Sequence, residues 1–114
     1  MLGLVGSSLF LLASQPAQTP PNYTLTCRAG PIERKIAGQP SSVFGCSDGR
    51  SLVIISEKKG NAAHFQITML ARGDGHLVGG YGSGDGTIVA AAFEEARKLT
   101  PEEIADLIRA TKTR

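Results

Sequence analysis

Residues 51–71, SLVIISEKKGNAAHFQITMLA, decide the fold. Ser51 to Ser56 is the most continuous apolar strand in the chain, and a run of this kind is expected at the centre of a sheet, covered on both faces. Glu57-Lys58-Lys59-Gly60-Asn61 has the composition of a hairpin loop. In the return strand, His64 to Ala71, Phe65, Ile67, Met69 and Ala71 alternate with His64, Gln66 and Thr68. Successive strand side chains point to opposite faces, so this strand has one apolar and one polar face.

Outward from the hairpin the period-2 pattern continues upstream. Val43 to Cys46 reads as a short strand behind a loop at Gly38 to Ser42. Ile32 to Ala37 reads as another, and Arg28-Ala29-Gly30-Pro31 as a turn. Tyr23, Leu25 and Cys27 alternate with polar neighbours, which predicts a half-buried first strand with Cys27 inward. Downstream of the turn at Gly73-Asp74-Gly75, a last short strand is expected near His76 to Tyr81.

Then the period changes. Ile88 to Leu99 places Ile88, Ala92, Ala96 and Leu99 on one helical stripe. Thr100-Pro101-Glu102-Glu103 is a helix start, with a Thr N-cap, Pro at the first helical position and Glu closing a capping box. The second helix presents Ile104, Leu107 and Ile108 inward. Strands followed by helices define an α+β fold, an antiparallel sheet of about four to six short strands followed by two C-terminal α-helices packed on one face. The stripe Ile104/Leu107/Ile108 is expected above Phe65/Ile67/Met69.

The chain has 114 residues, of which 41% are hydrophobic and 5% aromatic, with no Trp. That suits one small domain with a mainly aliphatic core, and excludes a TIM barrel, a two-domain enzyme or a multi-span membrane protein. The first charged residue is Arg28. Leu2 to Ala13 is a 12-residue apolar run, which is short of the roughly 20 residues that span a bilayer and fits the length of a secretory h-region. No Lys or Arg precedes it, and no good A-x-A site follows. The expected organisation is a signal peptide over residues 1–19, an extended Pro-containing linker over 20–22, and a single α+β domain over 23–114. The other reading of the apolar run is an N-terminal element of the fold. Cys27 and Cys46 agree with export: two cysteines behind a leader suggest one disulfide, and the alternative is a pair of buried thiols. The expected location is therefore periplasmic or secreted. Asn22-Tyr23-Thr24 matches the N-glycosylation sequon, a pattern short enough to arise by chance.

Residues 28–72 carry seven Lys/Arg and three Asp/Glu, against five and seven in residues 73–114. A mildly basic sheet half suits an acidic partner, although solvated surface gives the same imbalance. The overall formal charge is +2, with no arginine cluster and no interleaved aromatics. Nucleic acid is thus not an expected partner, and no stable membrane span is expected.

Seven of the 14 glycines lie between Gly73 and Gly86. Amides ahead of a helix suit an anion, so Gly82, Ser83, Gly84 and Asp85 are the candidate ligand-binding residues. The competing reading is a turning connection in which Asp85 or Thr87 caps the helix, and no frame matches GxGxxG or a P-loop. Gly45-Cys46-Ser47-Asp48-Gly49 matches G-x-S-x-G, but a nucleophile elbow needs a strand–turn–helix setting, and here a strand follows. His64 and His76 have no HxH or HExxH spacing, so no metal and no cofactor is expected. The expected function is that of a small exported accessory or binding protein, non-catalytic, interacting with another envelope or extracellular protein or acting as an inhibitor. The alternative is a small secreted hydrolase using Ser47 with His64 or His76.

Overall fold

The computed structural model describes residues 24–113. The expected signal peptide and linker, and the start of the domain at Tyr23, lie outside those residues. Five strands, β1 (Ala29–Ile36), β2 (Gln39–Gly45), β3 (Leu52–Ser56), β4 (Ala63–Arg72) and β5 (Gly75–Gly84), precede α1 (Gly86–Arg97) and α2 (Pro101–Lys112). The strands form one antiparallel meander in the order β1-β2-β3-β4-β5. The expected α+β arrangement is therefore present.

The hairpin of residues 51–71 sits at the middle of this sheet, with Leu52 opposite Met69 and Ile54 opposite Ile67. Leu52 and Ile54 are buried with Phe65, Ile67 and Met69 on the face that the helices cover. β3 is the third of five strands, as its apolar run predicts, but it is covered on one face only. Val53 is half-buried and Ile55 exposed, because both helices follow β5 and pack on the same side.

Three local expectations change. Residues 24–28 form an arm rather than a strand. Its backbone is tied to the β2–β3 loop, where Ser47 N donates to Thr26 O at 2.6 Å and Ser47 Oγ accepts from Thr26 N at 3.2 Å. Second, Gly30-Pro31 is not a turn but part of β1, whose register shifts between Ala29 and Ile32. Third, the glycine-rich stretch after Tyr81 is not a connection but continues the expected His76 to Tyr81 strand as far as Gly84. That strand, β5, is in unbroken register with β4 from Ala63 opposite Gly84 to Arg72 opposite Gly75.

Glycine is required within β5. A Cβ at Gly80 (φ +137°) would lie 1.9 Å from the Gln66 carbonyl oxygen, and one at Gly82 would lie 2.5 Å from Val89 Cγ1. The strand thus lets α1 approach closely. Asp85 caps α1 by accepting from the amides of Thr87 and Ile88, and the Thr100–Glu103 capping box starts α2 as expected.

A five-stranded sheet is about 19 Å wide, room for two helices about 10 Å apart. Only Asp85 separates β5 from α1, so α1 falls on β4 and β5, and α2 takes the other half over β1 and β2. Ile104, Leu107 and Ile108 are buried as expected, but not directly above Phe65, Ile67 and Met69, because α1 rather than α2 covers β4. They enter the common core from above β1 and β2, and the strand beneath α1 carries Phe65, Ile67 and Met69. Among the described residues, no helix is long and apolar enough to cross a membrane.

Candidate interaction face

The strand registers assign every side chain of the uncovered face to a row. Glu33, Ser42, Ile55, Gln66 and Tyr81 stand opposite one another across all five strands. The next row holds Phe44, Val53, Thr68 and Gly79, and beyond it Leu70 faces Leu77. The exposed large apolar residues, Ile55 (38%), Leu70 (36%), Leu77 (53%) and Tyr81 (68%), are all on this face. Scattered single apolar residues need no explanation, but here all four share one face of the sheet.

A shallow groove of about 450 Å³ crosses this face, with Ile55, Lys58, His64, Gln66, Tyr81 and Ser83 in its lining. The Tyr81 hydroxyl donates to Gln66 Oε1 at 3.1 Å, which fixes the two side chains across β4 and β5. His64 Nδ1 is shielded from solvent and has no hydrogen-bond partner among the described residues. The lining contains a lysine and several neutral polar groups but no carboxylate, so its electrostatic preference is for an oxygen anion.

Of the glycine-rich candidates, Ser83 lines this groove. Gly82 lies under Val89, Gly84 (φ +87°) lies against the Ala62 carbonyl, and the Asp85 carboxylate already occupies the start of α1. The four residues are contiguous but do not converge on one point.

The G-x-S-x-G segment is the β2–β3 loop, and its chemistry is that of a turn. Asp48 accepts from Arg50 N at 2.9 Å, Ser51 N at 2.8 Å and Ser51 Oγ at 2.6 Å. Partial burial pushes the Asp48 pKa up. The Ser51 hydroxyl, the Arg50 and Ser51 amides and the Arg50 charge outweigh that and hold it below the ordinary 3.8. Ser51 Oγ in turn accepts from Ala71 N at 2.8 Å, which joins the loop to β4. The Ser47 hydroxyl faces the arm. His76 pairs with the Arg50 carbonyl at 2.7 Å, and His64 lies at the opposite end of β4, across from Ser83. No hydrogen bond joins Ser47 to either histidine among the described residues.

Cys27 and Cys46 are joined in a disulfide. No group of three or more His, Cys, Asp or Glu side chains that could hold a metal ion occurs among the described residues.

The apolar residues of this face were missed by sequence reasoning. Leu77 and Tyr81 sit in a glycine-rich stretch that masks strand periodicity. The signal that pointed to Ile55 was the uninterrupted run in β3, which is apolar on the uncovered side as well as the covered one. Compared with protein-family models, curated protein sequences and solved structures, the chain has no match.

Proposed function

We propose that this protein is a small exported accessory protein of the periplasm or cell exterior that works without catalysis, by binding another envelope or extracellular protein on its uncovered sheet face. The observation that carries this reading is β3. Its sequence is apolar on both sides, yet the helices cover only one, which leaves Val53 half-buried and Ile55 exposed. The partner segment that fits is an apolar side chain followed by a carboxylate. Ile55 and Tyr81 offer apolar contact, and Lys58, at the rim of the groove, offers the charge. Of the glycine-rich segment, Ser83 lines the groove, which supports a hydrogen bond from its hydroxyl to the partner. The Cys27–Cys46 bridge is compatible with an oxidising compartment.

Photo-crosslinking in the native compartment tests this reading. A benzophenone side chain in place of Tyr81 or Ile55 should trap the same partner. One in place of the exposed Arg109, on the helical side, should not. Lys58→Glu should weaken the crosslink several-fold without changing the melting temperature. Equal labelling from all three positions would overturn the proposal, as would none from positions 55 and 81.

A further inference from the structure

The two edges of the sheet differ in how they are protected. A strand edge presents unpaired N–H and C=O groups, and edges are normally blunted by proline, charge or a bulge. β1 carries all three: Pro31, a register shift between Ala29 and Ile32, and the run Glu33-Arg34-Lys35. β5 has none of them. It is ten residues long, GHLVGGYGSG, with no charge and no proline, in continuous register with β4. It is last in the strand order, so among the described residues nothing pairs with its far side.

We propose that a second copy of this chain pairs there, β5 against β5, antiparallel about a two-fold axis at Gly79, so that two five-stranded sheets become one continuous sheet. Two features of β5 select this occupant and this register. Its large exposed side chains, Leu77 and Tyr81, lie two positions either side of Gly79 and on the same face. The dyad therefore sets Leu77 of one copy directly opposite Tyr81 of the other, twice, as a cross-strand apolar–aromatic pair. A self-complementary patch of this kind is what an isologous interface requires.

Charge agrees with the antiparallel sense. At the turn end of β5, the Arg50 guanidinium donates to the Gly73 carbonyl, and Arg72 stands opposite Gly75, so two arginines outweigh Asp74. At the other end stands Asp85, exposed beside the start of α1. Position 85 is six beyond Gly79 and position 73 six before it. The dyad thus sets Asp85 of each copy across from the Gly73 turn of the other, where Arg50 and Arg72 stand, whereas a parallel pairing would set Asp85 beside Asp85. The backbone pairing uses the strand edge, while its side-chain pair shares Tyr81 with the groove on the open face, so Ile55 alone reports on the groove independently.

Gly79 also supplies the test, because a Cβ there meets nothing within 4 Å and its φ is ordinary. Sedimentation equilibrium of the full chain should show a dimer that dissociates on dilution. Gly79→Lys places two ammonium groups opposite each other at the axis. It should weaken dimerisation at least tenfold with an unchanged melting temperature at concentrations where the wild type is monomeric. Gly79→Cys should give a covalent dimer on mild oxidation, whereas Asp106→Cys, on α2, should not. A wild-type chain that stays monomeric to millimolar concentration would overturn the proposal, and so would a Gly79→Lys variant that dimerises undiminished. Neither outcome bears on crosslinking from Ile55, which lies on β3.

Discussion

Asp48 and Gly80 show how single residues set local structure by different means. Asp48 is held by two amides and a hydroxyl in the β2–β3 loop, and its folded pKa lies below the 3.8 of an unperturbed group. A depressed carboxylate pKa means that the fold favours the ionised form. The ionised form accordingly contributes stability that is complete above pH 3.8 and disappears as pH falls through the folded pKa. The melting temperature of wild type should therefore exceed that of Asp48→Asn by a constant margin near neutrality, and the margin should shrink below pH 3.8. A margin that grows on acidification would contradict the hydrogen-bond assignment. The Asp-Gly turn is legible in sequence because Asx-type turn chemistry is local. The need for glycine at position 80 is not, since it arises from a carbonyl on β4, fourteen positions away in the chain.

The helices were the most legible elements, since caps and amphipathic periodicity act over a single turn. Thr100 and Glu103 close their capping box as the sequence implies. Less legible was which strands each helix covers, because that depends on the one-residue connection from β5 into α1. Leu107 is buried in the shared core above β1 and β2. Leu107→Asp places a charge in that core, where an unpaired carboxylate is strongly disfavoured. Truncating a buried Leu to Ala alone costs about 2–5 kcal/mol, so the Asp variant should unfold the domain at ambient temperature by circular dichroism. An unchanged melting transition would break the assignment of α2 to the sheet. The arm and β1 were misjudged for a related reason. Alternation of Tyr23, Leu25 and Cys27 looks the same in a strand as in an extended segment held by Ser47, and only a neighbouring strand distinguishes them.

At the scale of the molecule, the Cys27–Cys46 bridge ties the arm to the end of β2 across 19 positions. Closing a loop of that size stabilises a domain by about 3 kcal/mol in the chain-entropy model. Cys27→Ser/Cys46→Ser should lower the unfolding free energy by about that amount in urea titrations. A change below ~0.5 kcal/mol would mean that the arm adds nothing to the cooperative unit. Sequence alone determined the succession of strands then helices, the α+β class, the start of α2 and the one pairing open to two cysteines, because each follows from periodicity, turn chemistry or simple counting along the chain. It placed both helices on one face of the sheet, but it did not determine which strands each helix covers, nor that Ile55, Leu77 and Tyr81 stay exposed and the far edge of β5 has no partner among the described residues. Those features depend on the handedness and length of connections between packed layers. A residue's neighbours across a sheet are set by register and layer, which no local pattern encodes.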